Sequence, residues 1–336
     1  MNILLSSAGR RVGILEALRR GLAAEGIGGR VIASDAGTSA PAAHLADGFE
    51  RVPRCTEPGF LEAVQAIVRR EGIGLIVPTI DTELGVFAAA RSWFLEMGVT
   101  IAISSPETTA IAADKRRTNA WLGAEGLRAV GQRTLEAALD GDRPAGPPWI
   151  VKPARGSASA GVQSVGSVEG LEPLRELGEG WIVEERARGA EHTIHVYVDR
   201  RGRCLTAVPC KRLEVRAGEV SKGLTVRHEG MIEAARRIAE GLPGARGPLN
   251  VQGFLDDEDV FRLTEINARF GGGYPLVDRA GAPFAQWLIA EAAGRTVEPP
   301  FDGWEDDLAM LRYDDAAFVS SSRLRERESS VVHALA

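Results

Sequence analysis

The sequence predicts an α/β and α+β protein, with a parallel doubly wound sheet in its first third and a longer, strand-rich region after it. Up to about residue 110, apolar strand-like runs alternate with amphipathic helical stretches, the order expected of a parallel sheet covered on both faces. Beyond a Pro/Gly-rich break at 140–148, short β-rich runs follow one another with few helical stretches between them.

The elements follow in order. Asn2–Ser6 reads as a buried strand, 12–25 as an amphipathic helix and 30–34 as a second strand ending in Asp35. Phe60–Glu71 reads as a helix, 74–78 as a strand, 83–97 as a further helix and 100–103 as a strand. The pattern changes near Asp114, where a helix over 115–123 begins a new lobe. From there strands are expected at Trp149–Pro153, 161–165, Trp181–Glu185, 193–198, 204–209, 251–255 and 260–266. The acidic link 256–259 suits a hairpin between the last two, and helices are expected over 229–240 and 283–293. The resulting division is 1–110 for the parallel-sheet domain, 111–180 for a small lobe with a glycine-rich flap, 181–319 for a larger lobe and 320–336 for a polar tail.

Composition narrows the class. A chain of 336 residues with 44% hydrophobic residues can build two or three lobes with cores of their own. Net charge is −6 and the basic residues are scattered in pairs such as Arg10-Arg11 and Arg116-Arg117, so no basic stripe points to nucleic acid. Cys55, Cys204 and Cys210 lack metal-type spacing and fit reduced thiols. The chain enters a strand with no charged leader segment ahead of it, and its apolar runs fall short of the roughly 20 residues a membrane span needs. A soluble cytoplasmic protein without nucleic-acid or membrane partners is the expectation.

The residues that carry chemistry cluster late in the chain. In Leu263-Thr264-Glu265-Ile266-Asn267-Ala268-Arg269, alternation puts Glu265, Asn267 and Arg269 on one face of a strand. Two oxygen donors at that spacing suit Mg²⁺ or Mn²⁺, and the guanidinium beyond them suits an oxyanion, a combination fitted to phosphoryl transfer. The plain alternative is an edge strand with a solvated polar face. Lys152 sits inside the apolar strand Trp149-Ile150-Val151-Lys152-Pro153, where an uncompensated ammonium is costly and an anion is expected. The small-residue loop 155–161, with Gly156, Ser157, Ser159 and Gly161, then reads as a flap over a polyphosphate; an ordinary Gly/Ser hairpin is the alternative. No GxxxxGK[S/T] or GxGxxG occurs, and Ser7-Ala8-Gly9 with Asp35 gives only a faint dinucleotide-binding echo. His192 and His195 must face opposite sides of a strand and read as structural, while no HExxH or GxSxG supports hydrolase chemistry. At carboxyl ends of the parallel strands, Arg10 reads as a contact for a carboxylate and Asp81 or Glu83 for an amino group; helix capping is the alternative for Asp81.

Lys115, Val151-Lys152-Pro153 with its flap, Val183-Glu184-Glu185 followed by Glu191, and Asn250-Val251-Gln252 leading into Glu265–Arg269 resemble the ATP-grasp superfamily in order and spacing. The resemblance covers about residues 1–315 and is to the carbamoyl-phosphate synthetase large-subunit-like branch, which includes stand-alone amino-acid ligases such as that of pyrrolysine synthesis. It implies an ATP-grasp fold behind a Rossmann-like N-terminal domain. It implies further that Lys115 and Lys152 contact nucleotide phosphates, that Glu184, Glu185 and Ala187 line the adenine, and that Glu191 holds the ribose hydroxyls. Glu265 and Asn267 would bind Mg²⁺, with Gln252 as a further ligand, and Arg269 would face the transferred phosphoryl group. Lys211 and Arg212 fall where the family places cations near the γ-phosphate or the acid substrate, although relatives often carry a basic residue where this chain has Cys210. The implied reaction joins a carboxylate to an amine through an acyl phosphate, releasing ADP and phosphate. Small-molecule acid and amine partners and a homodimer come with it; carboxylation, simple phosphotransfer or a nucleotide-binding regulatory module are the alternatives.

Overall fold

The computed structural model describes residues 1–156, 160–216, 218–322 and 324–325, so Ser157 and Ser159 of the expected flap and most of the expected polar tail lie outside the described residues. The N-terminal domain comprises β1 (Asn2–Ser6), α1 (Val12–Ala24), β2 (Val31–Asp35), α2 (Pro41–Leu45), β3 (Gly48–Arg51), α3 (Phe60–Glu71), β4 (Ile73–Pro78), α4 (Asp81–Ala89), α5 (Arg91–Glu96) and β5 (Thr100–Ile101). Its strands form one parallel sheet in the order β3-β2-β1-β4-β5. Ile3, Leu4 and Leu5 are wholly buried, as an unbroken apolar run in a sheet covered on both faces must be. The order reverses at β1, so the carboxyl ends of β1 and β4 flank the crevice where such sheets bind ligands. Asp35 is occupied structurally, its carboxylate accepting the N–H groups of Gly9 and Gly37 at 2.8 Å.

The expected helix over 83–97 is two helices that meet at Ala90. The break brings Phe94 edge-on to Phe87 at 5.9 Å while Phe87 holds Phe60 at 5.8 Å, and this aromatic cluster fixes both helices against the sheet. The short polar strand β3 carried no apolar alternation and was not legible as a strand.

After α6 (Pro106–Ala112) and α7 (Lys115–Ala124), a small lobe contains β6 (Gln132–Thr134), α8 (Leu135–Leu139), β7 (Trp149–Pro153), β8 (Gln163–Val165) and β9 (Trp181–Glu185), in the antiparallel order β6-β9-β7-β8. It has a core of its own built from Leu135, Trp149, Val151, Val165 and Val183. Because β9 pairs with β7 throughout, the small sheet runs to Glu185 and not to the boundary expected at 180.

The larger lobe contains β10 (Ala190–Val198), β11 (Cys204–Arg216), β12 (Glu219–Thr225), α9 (Glu229–Gly241), β13 (Gly247–Leu255), β14 (Phe261–Asn267), α10 (Tyr274–Arg279), α11 (Phe284–Ala292) and β15 (Ala309–Leu311). Its antiparallel sheet runs β14-β13-β10-β11-β12-β15. The hairpin at 256–259 forms as expected, with Asp259 at φ 62° in its turn. The far half of β11 and all of β12 were not expected, because that hairpin is held by polar contacts such as Lys222 Nζ to Glu214 Oε2 at 2.6 Å. The larger lobe and the parallel sheet share one hydrophobic core. Where α1 meets α11, Gly21 permits the approach: a Cβ there would lie 2.8 Å from Ile289 Cδ1. Among the described residues no helix is long and apolar enough to cross a membrane.

Phe87 is 0% exposed, so Phe87→Ala is expected to cost about 3–5 kcal/mol of stability in urea unfolding. A loss near zero would show that the cluster does not hold α4 and α5 in place.

Candidate active site

A cavity of about 470 Å³ opens between the carboxyl ends of β1 and β4, the small sheet and one face of the large sheet, within the size range of small-molecule sites. The large sheet supplies most of its wall through alternation, interrupted on β14 at Thr264, an extra residue between Leu263 and Glu265 that also lines the cavity. Glu191, Thr193 and His195 on β10, Asn250 and Gln252 on β13, and Glu265 and Asn267 on β14 are every-second residues, and all line the cavity. Register completes the array: Gln252 is opposite Glu265 and Asn250 opposite Asn267. Arg269 lies two residues beyond Asn267 in the same wall. The small sheet contributes Lys152, Glu184 and Glu185, and the hinge after β9 contributes Ala187. Lys115, at the start of α7, and Gly156 close that side, with Lys115 Nζ donating to Gly156 O at 3.0 Å.

Nearly every cation in this wall is met by a carboxylate. Lys152 Nζ lies 2.6 Å from Glu184 Oε2, with side-chain exposures of 12% and 4%. This is the anion that the buried strand lysine required, supplied by the neighbouring strand β9. Arg212 pairs with Glu191, Arg269 with Asp81 at 2.6 Å and Arg11 with Glu219 at 2.7 Å. Lys115 lies 3.9 Å from Glu265. Burial raises the Glu191 carboxyl, against the opposing pull of Arg212, and burial lowers the Arg11 guanidinium. Glu265 Oε1 also accepts from Asn267 Nδ2 at 3.2 Å.

Of the residues expected from the sequence, Lys115, Lys152, Gly156, Glu184, Glu185, Ala187, Glu191, Gln252, Glu265, Asn267, Arg269, Arg212 and Asp81 converge on this one cavity. Three do not. Lys211 is outside the wall that Arg212 lines, because adjacent residues of β11 face opposite sides of the sheet. Arg10 is exposed and its neighbour Arg11 takes the place in the cavity, the turn at Gly9 having a φ of 45°. Glu83 is wholly buried: Oε2 accepts the hydroxyls of Ser6 and Ser7 at 2.6 and 2.8 Å, and Oε1 the N–H groups of Thr79 and Ile80 at 2.7 and 3.2 Å. It therefore fixes the start of α4 and presents nothing to a substrate, while Asp81, for which capping was the alternative, faces the cavity. Gly161 is placed by backbone need, at φ 75° with Pro153 and Trp181 closely packed against it.

The segment Gly9-Arg10-Arg11 was expected to contact substrate, with Arg10 as the carboxylate contact, whereas Glu219 and the run Gly271-Gly272-Gly273 were not expected as wall residues. His192 and His195 do face opposite sides, but His195 is a cavity residue in addition to being buried. A Cβ at Gly271 would lie 2.8 Å from His195 Cε1, so glycine lets the chain pass over the imidazole. The alternation of Glu191, Thr193 and His195 was the available signal.

Comparison with known proteins agrees with this geometry. Residues 3–102 match the model of the PylC-like N-terminal domain, and residues 178–312 match that described as ATP-grasp in the biosynthetic pathway with Ter operon. The chain thus carries a region similar to the PylC-like N-terminal domain, followed by one similar to the ATP-grasp enzymes. It is 31% identical over 182 residues to a D-alanine--D-alanine ligase of Corynebacterium aurimucosum, a match covering 52% of this chain and 49% of that protein. The chain thus spans about half the length of the curated relative it matches. Among solved structures, the L-amino acid ligase of Bacillus licheniformis superposes with a TM-score of 0.66 at 18% identity, over 90% of this chain and 76% of that one. N5-carboxyaminoimidazole synthetase of Staphylococcus aureus, complexed with ADP, gives 0.68 at 16% identity over 89% and 79%. The biotin carboxylase domain of Hydrogenobacter thermophilus 2-oxoglutarate carboxylase, a dimer holding MgADP, ADP and bicarbonate, gives 0.74 at 16% over 91% and 73%. At these identities the likeness is one of fold.

Burial pushes the His195 imidazole down from 6.5 to about 3, and the nearby Arg212 pushes the same way. The unfolded imidazole takes up a proton below about pH 6.5 while the folded one does not, so stability is present above that pH and is lost as the pH falls toward about 3. Urea unfolding across this window should show a slope of up to roughly 1.4 kcal/mol per pH unit from this group. The slope should flatten in His195→Gln, and an identical slope in the variant would refute the assignment.

Proposed function

We propose that the protein is an ATP-dependent carboxylate–amine ligase, activating an acid as its acyl phosphate and releasing ADP and phosphate, with an amino-acid-like substrate. The observation that carries this reading is the placement of Glu265, Asn267 and Arg269 on one wall of a cavity whose other side presents Lys115 and Lys152. A γ-phosphate and an attacking carboxylate repel by about 1 kcal/mol per charge pair at 4 Å in water and roughly 4 in a partly buried cleft. Fixed cations are therefore the protein's main contribution to such a step, together with alignment of the two reactants.

The chain's own residues divide the work. Lys115 and Lys152 hold the phosphates, the hinge residues from Glu184 to Ala187 border the adenine, and Arg269 and Arg212 face the transferred phosphoryl group or the acid. At the N-terminal domain end, Arg11 suits a substrate carboxylate and Asp81 an ammonium. The names of the D-alanine--D-alanine ligase and the L-amino acid ligase support an amino-acid substrate. Glu265, Asn267 and Gln252 offer an all-oxygen donor set, which fits Mg²⁺. Among the described residues no group of three or more His, Cys, Asp or Glu could hold a metal. That suits an ion completed by phosphate oxygens and water and carried in with the nucleotide. When bound, Mg²⁺ neutralises developing phosphate charge.

The test incubates purified protein with MgATP and panels of acids and amines. ADP and phosphate are the expected products, and Glu265→Ala should lower turnover at least 10²-fold, on the order of one lost electrostatic contact, while leaving the fold intact. Release of AMP and pyrophosphate, or ADP release driven by bicarbonate without an amine, would overturn the ligase reading.

A further inference from the structure

Arg269 is the cation that the proposed reaction needs for its phosphoryl group, and its guanidinium is already engaged by groups of the protein. Nη2 donates to Asp81 Oδ2 at 2.6 Å and to Asn267 Oδ1 at 3.2 Å, and Nη1 donates to Phe270 O at 3.0 Å. Nε is buried without a partner among the described residues. Asp81 reaches Arg269 from the N-terminal domain, where it is the first residue of α4. It is not needed to hold that helix start, because Glu83 already accepts the N–H groups of Thr79 and Ile80. Its carboxylate is thus left for Arg269 alone among these contacts. Lys152–Glu184 joins strands of one sheet, as does Arg212–Glu191, whereas Asp81–Arg269, like Arg11–Glu219, crosses from the N-terminal domain to the larger lobe, with 23% and 13% of the Asp81 and Arg269 side chains exposed. Both of its members face the cavity.

We propose that Asp81 stands in for the terminal phosphoryl group on Arg269, so that binding a nucleoside triphosphate, but not a diphosphate, requires the guanidinium to leave Asp81. This inference rests on the ATP-ligase reading. Asp81 then acts as a positioning residue: it holds Arg269 extended along the wall toward the N-terminal domain until a γ-phosphate competes for it. A carboxylate and a phosphoryl oxygen offer the same charge and acceptor chemistry to a guanidinium, which is why one can hold the other's place. A diphosphate has no third phosphoryl group to compete, and its affinity carries no cost from the pair.

The experiment is calorimetric titration of the full chain with the non-hydrolysable triphosphate Mg·AMP-PNP and with MgADP, at one ionic strength. In Asp81→Asn, AMP-PNP should bind about tenfold more tightly than in the wild type, with ADP changed by less than about twofold. In an Arg269→Gln background, Asp81→Asn should bring no gain. Glu219→Gln removes a negative charge from the same end of the cavity but touches Arg11, and should move both nucleotides alike. Asp81→Ser, which also removes the carboxylate at the start of a helix, serves if the asparagine variant does not fold. Equal gains for the two nucleotides, or a gain that persists without Arg269, would overturn the proposal while leaving the ligase reading in place. Failure of the wild type to bind either nucleotide would overturn both.

Discussion

The site depends on one constraint, the two-residue period of three adjacent antiparallel strands held in register. β10, β13 and β14 each place alternate side chains on the same face, and the pairing of Gln252 with Glu265 and of Asn250 with Asn267 aligns those faces into a single polar wall. The unpaired Thr264 shifts the phase of β14, so that Leu263 and Ile266 are both buried while Glu265 and Asn267 face the cavity; without that extra residue Glu265 and Asn267 would fall on the buried side with Leu263. The apolar positions that stabilise the sheet therefore also specify where the chemistry-bearing residues point.

The second principle is charge economy. The cavity concentrates cations, as the proposed polyphosphate ligand requires, yet unpaired cations in a partly dry cavity are costly. The protein resolves this with internal carboxylates, so Lys152, Arg212, Arg269 and Arg11 are each neutralised before any ligand arrives. On the proposed reading, ligand anions would exchange with these partners and would not fill a bare positive site. This makes the identity and exposure of each carboxylate part of how the cavity chooses its ligands.

Much of this was legible in the sequence, and what was not has a physical cause. The parallel sheet, β7 with Lys152, and β14 with its alternating donors could be read because a period of two and an uninterrupted apolar run are local signals. The ends of charged elements could not. β3, β12 and the outer half of β11 carry little apolar alternation, and the β11–β12 hairpin is held by polar side-chain contacts such as those of Glu214 with Lys222 and Ser221. Turns were the other blind spot. Whether Arg10 or Arg11 enters the cavity is decided by backbone dihedrals near Gly9, and whether Asp81 or Glu83 does so is decided by the hydroxyls of Ser6 and Ser7, both contributed by a different strand end. The family resemblance supplied the order of the motifs but had Lys211 beside Arg212, which strand geometry separates.

The small lobe has a further property. Its Leu135–Trp149–Val183 nucleus is separate from the core shared by the other two parts, and polar contacts tie its inner edge to them, among them Lys115 to Gly156 and Arg155 to Asp114. Swinging such a body by a few degrees would leave both interiors intact and would load chiefly these polar ties, together with the hydrogen bond from the Lys115 N–H to Ala154 O at 2.9 Å. Admission of a bulky nucleotide is then compatible with two hydrophobic interiors that stay dry throughout.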